Sequence, residues 1–167
     1  MTSLRYGPGV NFERATKKDF LEIVDDLEDF WGAEGAARTR GYHHPLFVSE
    51  FDDTTLVLRE DGRVVAYLFG FWSQAEPAGY IHLVGVRRSH QGRGVGRALY
   101  EEFESRARIR GCTALKAHTS PVNSSSIAFH RQMGFALIGE PNDEGVAVTP
   151  DHHARGDAVV TFRKELR

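Results

Sequence analysis

Apolar residues recur at helical spacing near the start of the chain. One stripe, with steps of three or four residues, contains Phe20, Ile23, Val24, Leu27, Phe30 and Trp31. This pattern predicts an amphipathic helix. Thr16, followed three residues later by Asp19, resembles a capping box, so the helix is expected to begin there. Residues 32–42 are rich in glycine and arginine and predict a loop or a short helix.

Further along, the pattern changes to short apolar runs. Residues 55–59 and 64–72 flank Asp61-Gly62, a dipeptide that favours a type I′ turn because both central positions need positive φ. A β-hairpin is therefore predicted, and its almost wholly apolar second strand is typical of a central position. Other strands are predicted over residues 10–14, 80–86, 113–118, 135–138 and 158–162, with helices over 95–110 and 124–133.

The segment Gln91-Gly92-Arg93-Gly94-Val95-Gly96 joins the strand that ends at Val86 to the next helix. The leading N–H groups of a helix have no intrahelical partners and its dipole is positive there, so anions bind at this end. Glycines let the backbone approach phosphate oxygens. Positive charge around the turn comes from Arg87, Arg88, Arg93 and Arg97. We therefore predict a pyrophosphate cradle.

Two common phosphate-binding motifs do not match this segment. A P-loop requires Lys-Ser or Lys-Thr after its last glycine, and neither pair follows the turn. The dinucleotide fingerprint has a different glycine spacing and follows the first strand of its domain, whereas this loop lies past the middle of the chain.

The spacing Gln91-x-x-Gly94-x-Gly96 instead resembles the acetyl-CoA signature of the GNAT superfamily of N-acetyltransferases, Gln/Arg-x-x-Gly-x-Gly/Ala. A later segment is similar to a second motif of that family and supplies Asn123, Ser126, His130, Gly134 and Phe135. The family usually has Tyr at the position of His130. With the strand before the cradle, the two motifs cover roughly residues 80–136.

The resemblance implies a GNAT fold, of class α/β (α+β), as a single domain over residues 1–167. Such a fold has a mixed, mostly antiparallel central sheet of about six to seven strands flanked by about four helices. It also implies acetyl-CoA as cosubstrate, held by Val84, Gly85, Val86, Gln91, Gly92, Arg93, Gly94, Val95, Gly96, Arg97, Asn123, Ser126 and His130. Within its strand, Gly85 marks a bulge or close backbone approach, or is simply tolerated.

The implied reaction is direct attack of a primary amine on acetyl-CoA in a ternary complex. Because an alkylamine is mostly protonated at neutral pH, a base is useful. His82 shares a strand face with Val84 and Val86 and is the candidate base. The segment also resembles the His-x-x-Ala-Val stretch of arylalkylamine N-acetyltransferases. His130 is the candidate acid in place of Tyr. Alternatively, His82 is a hydrogen-bonded core group and His130 only packs beside the cosubstrate.

The amine acceptor, a small molecule or a peptide, stays open. Aromatic and imidazole side chains that could contact it are Phe30, Trp31, His43, His44 and Trp72. A cationic amine could be attracted by Asp25, Asp26, Asp29, Glu50, Asp52 and Asp53. A different class of function, a catalytically silent acetyl-CoA-binding sensor, would keep the cradle and lose the acid and base.

Composition is that of an ordinary soluble globular protein. A net charge of −2 over 167 residues does not indicate the basic surface that binds nucleic acid. No apolar run approaches a membrane span, and Cys112 is the single cysteine, so we expect a cytoplasmic protein without membrane or nucleic-acid partners. The pairs His43-His44 and His152-His153 lack further ligands, so no metal is expected. A homodimer is predicted through an exposed edge strand at residues 158–162.

Overall fold

The computed structural model describes Tyr6, residues 9–152 and residues 156–166. The chain divides into two compact units. Unit 1 contains Met1–Trp72 and Ile81–Ser105, and unit 2 contains Ser73–Tyr80 and Arg106–Arg167.

Unit 1 begins with a short strand and two helices, β1 (Glu13–Arg14), α1 (Lys17–Asp25) and α2 (Leu27–Thr39). The predicted capping box is confirmed, because Asp19 N–H donates to Thr16 Oγ1 at 3.2 Å and Thr16 N–H donates to the Asp19 carboxylate at 2.6 Å. The predicted apolar stripe is buried at Phe20, Ile23, Leu27 and Phe30. Gly32, with φ of 71°, kinks α2.

A 3-10 turn at Arg40–Tyr42 and the short helix α3 (Leu46–Ser49) lead to the predicted hairpin. Its strands are β2 (Thr55–Glu60) and β3 (Arg63–Trp72). Asp61 and Gly62 both have positive φ, 50° and 76°, as a type I′ turn requires. Seven consecutive residues of β3 are buried, which confirms its central position. β2 pairs antiparallel with both β1 and β3.

The next strand, β4 (Ala78–Val86), leads through the glycine-rich turn to α4 (Val95–Arg110). Along β4, odd-numbered residues from Ile81 onward are buried and even-numbered ones are half-buried. Gly85 lies against the ring of Tyr67, and a Cβ atom at Gly85 would be only 2.3 Å from Tyr67 Cε1. Close packing of an aromatic ring therefore explains this glycine.

Unit 2 contains β5 (Ala114–Thr119), α5 (Ser124–Gln132), β6 (Ala136–Ile138), β7 (Glu140–Pro141), β8 (Ala147–Val148) and β9 (Val160–Glu165). The first three residues of β4 pair in parallel with β5. β9 is antiparallel to both β5 and β6. The expected edge strand at residues 158–162 is therefore wrong: the strand that begins at Val160 is internal, and β6 lies at the end of the sheet.

The described strands form a seven-stranded sheet in the order β1-β2-β3-β4-β5-β9-β6, and β7 pairs with β8 separately. This mixed, mostly antiparallel sheet with five helices confirms the predicted fold class. A single domain over residues 1–167 stays a prediction. Among the described residues, no helix is long and apolar enough to cross a bilayer.

Replacing Gly85 by Ala should destabilise the protein by about 1–3 kcal/mol, because the added methyl group overlaps the buried Tyr67 ring. The control is Gly41→Ala, since a Cβ atom there has no heavy atom within 4 Å. Urea unfolding of both variants and the parent checks this expectation. Equal midpoints for the two variants would contradict the packing explanation.

Candidate functional site

The turn that follows β4 has the backbone geometry of an anion site. Gly92 and Gly94 have φ of 71° and 86°, in the left-handed region that favours glycine. Ala98 N–H donates to Gly94 O at 3.0 Å, so α4 takes its first hydrogen bond there. The N–H groups of Val95, Gly96 and Arg97 precede that bond, and as the leading groups of a helix they have no intrahelical acceptor. They can bind an anion at the positive end of the helix dipole.

A side-chain hydrogen bond fixes the start of this turn, and the space next to Gly92 is open. Gln91 Nε2 donates to Val86 O at 2.9 Å, which ties the start of the turn to the end of β4. A Cβ atom at Gly92 would have no heavy atom within 4 Å. Arg93 is partly exposed and Arg97 is exposed, so both can add positive charge at this end of α4. The residues predicted as the cradle thus have the backbone geometry of an anion site, and their contact with acetyl-CoA stays a prediction.

Arg87 does not contribute to the cradle, and this expectation was wrong. Its side chain is buried, with the residue 3% exposed. Its guanidinium donates to Asp29 at 2.6 Å, to Asp26 at 2.7 Å and to the Val64 carbonyl oxygen at 2.6 Å. It also lies 4.6 Å above the centre of the Phe30 ring. Arg87 is thus a structural cation that crosslinks unit 1.

The same contacts change the interpretation of the acidic residues. Asp26 and Asp29 bind Arg87, and the Arg87 hydrogen bond holds the pKa of Asp26 below its usual value. Asp52 pairs with Arg14 at 2.9 Å, and Asp53 accepts a hydrogen bond from Trp72 at 3.0 Å. These four carboxylates therefore have protein partners, and attraction of a cationic amine by the acidic set stays a prediction.

His82 projects from the half-buried face of β4 into aromatic surroundings. Its ring stacks on Phe47 with centroids 5.0 Å apart and meets the Tyr42 ring edge-on at 6.0 Å. Its Nε2 lies 3.2 Å from Tyr42 O. A carbonyl oxygen only accepts, so Nε2 carries the hydrogen and Nδ1 keeps a lone pair. Burial lowers the pKa of His82, which keeps the ring neutral at neutral pH. The arrangement can accept a proton at Nδ1.

In unit 2, the second motif is explained by helix geometry. Asn123 caps α5: its Oδ1 accepts from Ser126 N–H at 3.2 Å, and its Nδ2 donates to Thr119 Oγ1 at 3.1 Å. One turn later, His130 Nδ1 lies 2.8 Å from Ser126 O and donates to it. The spacing of Asn123, Ser126 and His130 thus provides a cap and a side-chain hydrogen bond along one face. Contact of these residues with acetyl-CoA stays a prediction.

The environment of His130 favours packing over the acid role. The residue is 5% exposed, and its ring lies parallel to Phe162 with centroids 3.9 Å apart. Burial lowers its pKa to about 4, although the hydrogen bond to Ser126 partly opposes this shift. At neutral pH the ring is then neutral. It does not have the imidazolium proton that the acid role requires, so the alternative of a packed helix histidine fits better.

The five residues predicted to contact the acceptor differ in exposure. Phe30 and His43 are buried, Trp31 and Trp72 are half-buried, and His44 is exposed. Trp31 Nε1 donates to Tyr67 OH at 2.7 Å, and Trp72 stacks on Phe103 with centroids 5.3 Å apart. Both tryptophans are therefore engaged in unit 1. Their contact with an acceptor, like that of the other three residues, stays a prediction.

The sequence analysis missed two polar groupings. In unit 1, the Tyr67 hydroxyl lies between Trp31 and His43. In unit 2, the Tyr80 hydroxyl hydrogen-bonds His118 Nδ1, and burial raises the pKa of Tyr80 to about 12. Residues 80 and 82 lie on the same face of the strand, so the alternation that identified His82 could also have identified Tyr80. Among the described residues, which exclude His153, no three potential metal ligands cluster.

Comparison with known proteins identifies the family. The model of the Acetyltransferase (GNAT) family matches residues 20–135. The chain is 34% identical to the L-2,4-diaminobutyric acid acetyltransferase of Nocardia farcinica, over 86% of this chain and 80% of that protein. It is also 34% identical to the L-methionine sulfoximine/L-methionine sulfone acetyltransferase of Salmonella typhimurium, over 54% of this chain and 55% of that protein.

A solved GNAT-family structure from Desulfovibrio desulfuricans has the same fold. Its TM-score is 0.70 at 23% identity, and the match covers 93% of this chain and 98% of that one. The chain belongs to the GNAT acetyltransferase family and is an acyltransferase of the N-acetyltransferase type. The resemblance drawn from the two motifs is confirmed.

Protein stability should report the neutral state of His130. Because its pKa is below the ordinary value of about 6.5, unfolding takes up a proton between pH 6.5 and about 4, and stability falls as pH falls through this window. Replacing His130 by Gln should make that dependence shallower by up to about 1.4 kcal/mol per pH unit. Denaturant unfolding between pH 7 and 5 measures this dependence of the free energy of unfolding on pH. Ile109→Gln, at an exposed position without a titratable group, should leave the slope unchanged. An unchanged slope in H130Q would contradict the lowered pKa.

Proposed function

We propose that this protein transfers the acetyl group of acetyl-CoA to a primary amine of a free amino acid, by direct attack in a ternary complex. The relatives support this acceptor class, because those described above are named for diaminobutyric acid and for methionine sulfoximine or sulfone. A third is named an L-amino acid N-acyltransferase, and the chain spans about half of that protein. These names describe the relatives, and for this chain the acceptor is a proposal.

The residues of the turn after β4 fit the pyrophosphate of coenzyme A. Positive φ at Gly92 and Gly94 turns the backbone, and the space above Gly92 is open. The N–H groups of Val95, Gly96 and Arg97 would bind the phosphate oxygens, with Arg93 and Arg97 adding charge. When bound, acetyl-CoA supplies the acetyl group as a thioester. Main-chain groups of Val84, Gly85 and Val86 are proposed to orient it, including one N–H facing the carbonyl oxygen.

The observation that carries the catalytic proposal is the contact between His82 Nε2 and the Tyr42 carbonyl oxygen. With Nε2 donating to Tyr42 O, the neutral ring presents a lone pair at Nδ1. Burial lowers its pKa, so the ring is available as a base throughout the neutral pH range. We propose that Nδ1 accepts the proton of the attacking amine as the nitrogen–carbon bond forms.

The buried, neutral state of His130 supports a second candidate function. In this alternative, the protein is a catalytically silent domain that binds acetyl-CoA as a sensor. Such a domain lacks a proton donor for the departing thiolate. In the catalytic proposal, the proton accepted by His82 can be released to the sulfur or to solvent. Thiol release from acetyl-CoA in the presence of amino acids separates the two functions, since a sensor shows binding without turnover.

Replacing His82 by Gln should lower kcat by about 10²–10⁴-fold, the usual contribution of a general base. Acetyl-CoA affinity should be nearly unchanged, because the cradle is intact. The assay measures thiol release and acceptor mass with a panel that includes 2,4-diaminobutyrate, methionine sulfoximine and methionine sulfone. Ile109→Gln, at an 86% exposed position outside the predicted site, is the control. Full turnover by H82Q would exclude His82 as the base.

Replacing Gly92 by Ala should weaken acetyl-CoA binding. The matched control is Gly62→Ala in the hairpin turn, because the two glycines have φ of 71° and 76° and a Cβ atom at either meets no heavy atom within 4 Å. Both variants should lose about 1–2 kcal/mol of stability through left-handed strain. Calorimetric titration with acetyl-CoA should show weaker binding for G92A alone. Equal affinity of the two variants would contradict the cradle assignment.

A further inference from the structure

The buried hydroxyl of Tyr67 has a hydrogen-bond pattern with a defined direction. Tyr67 is 0% exposed. Trp31 Nε1 lies 2.7 Å from the hydroxyl, and an indole nitrogen only donates. The hydroxyl must therefore direct its own hydrogen elsewhere, and His43 Nε2 lies 2.7 Å away. His43 Nδ1 donates to Thr39 O at 2.8 Å, which leaves Nε2 as the acceptor. Hydrogen bonds thus run from Trp31 through Tyr67 and His43 to Thr39.

This direction requires a neutral His43, because an imidazolium would donate from both nitrogens. Burial is the main cause that lowers the pKa of His43, and charge on His82 or Arg40 lowers it further. The hydrogen bond to Thr39 opposes these effects. A neutral His43 accepts the hydrogen of the Tyr67 hydroxyl at Nε2. This hydrogen bond therefore restricts both side chains to one orientation.

His43 connects the Tyr67 hydroxyl to the surroundings of His82. It directly follows Tyr42, whose carbonyl oxygen accepts from His82 Nε2, and it lies four residues before Phe47, on which the His82 ring stacks. The segment 39–47 therefore carries the contacts that fix the His82 ring, and His43 anchors that segment to β3 through Tyr67.

Tyr67 also contacts the strand that carries His82. Its ring fills the space beside Gly85, where a Cβ atom would be 2.3 Å from Cε1 and 2.8 Å from the hydroxyl oxygen. One side chain thus touches the backbone of β4 three residues beyond His82 and, through its hydroxyl, anchors the segment that covers His82. The Tyr67 side chain therefore contacts both β4 and the segment 39–47.

We propose that Tyr67 is a positioning residue for acetyl transfer: its hydroxyl, held between Trp31 and His43, fixes the segment 39–47 and thereby the tautomer and orientation of His82. The proposal rests on the proposed function, because it assigns the effect to the base of that reaction. Trp31 and His43, which the sequence suggested as acceptor contacts, take the role of partners of this hydroxyl.

The test is Tyr67→Phe, which keeps the ring beside Gly85 and removes the hydroxyl. We expect kcat to fall about tenfold to a hundredfold, the range that a small misplacement of a catalytic group produces, with little change in the KM for acetyl-CoA. Loosening of the segment should expose His82, so its titration midpoint, followed by NMR of the ring protons, should rise toward the ordinary value. Tyr100→Phe, which removes another buried tyrosine hydroxyl, should change neither quantity.

A second variant keeps the proposal testable if Y67F is too unstable. His43→Gln breaks the same link from the other side and should shift the His82 midpoint in the same direction. The double variant should shift it no further than either single one, because both remove one connection. An unchanged His82 midpoint in folded Y67F and H43Q would overturn the proposal.

The NMR measurement needs no substrate, so it separates this proposal from the proposed function. If the parent protein releases no thiol with any amino acid but the His82 midpoint still responds to Y67F, the acceptor or the activity is wrong and the positioning role stands. In the opposite case, the parent protein acetylates an amino acid, and Y67F is less stable but has the same kcat and the same His82 titration midpoint as the parent. The positioning role then fails and the proposed function stands.

Discussion

The buried guanidinium of Arg87 is the interaction on which the arrangement of unit 1 depends. It sits one residue beyond the end of β4 and binds the carbonyl oxygen of Val64 in β3. It also binds Glu22 of α1, Asp29 of α2 and Asp26, which lies between the two helices. A buried charge without partners costs several kcal/mol, so these contacts must be satisfied together. Arg87 thereby fixes where β4 ends, and with it where the glycine-rich turn begins.

The planar guanidinium suits this task better than an ammonium would. Its nitrogen atoms reach three carboxylates and a carbonyl oxygen in fixed directions, and its face covers the Phe30 ring. The hydrogen bond from Arg87 also lowers the pKa of Asp26, so that carboxylate stays charged at neutral pH. The neighbouring arginines Arg88, Arg93 and Arg97 are exposed or partly exposed, and their action at the helix end stays a prediction.

Local signals made much of the fold and the backbone geometry of the glycine-rich turn predictable. The capping box at Thr16 and the Asp61-Gly62 turn depend on residues adjacent in sequence, and both were confirmed. The turn geometry of the predicted cradle has the same local origin, because glycine spacing and a helix start determine it, whereas its binding of acetyl-CoA stays a prediction. The alternation along β4 likewise placed His82 on the half-buried face.

The features that the sequence did not reveal depend on partners distant in the chain. Arg87 looked like one more cradle arginine, because its acidic partners lie about sixty residues earlier. The strand from Val160 was expected at an edge, yet strand order is a tertiary property, and β9 inserts between β5 and β6. His130 matched a motif position, while its lowered pKa comes from burial against Phe162.

The lowered pKa of His82 restricts how it can act under the proposed function. An alkylammonium has a pKa of about 10.4 and an ordinary imidazole about 6.5, so complete transfer of its proton to the ring before attack costs about 5 kcal/mol or more. Burial widens this gap. As the amine nitrogen bonds to the acetyl carbon it becomes positively charged and its proton more acidic, and the transfer to Nδ1 becomes favourable. His82 therefore suits proton removal while the small neutral fraction of the amine attacks the thioester. Near neutral pH, the dependence of the rate on pH then comes from protonation of the acceptor amine.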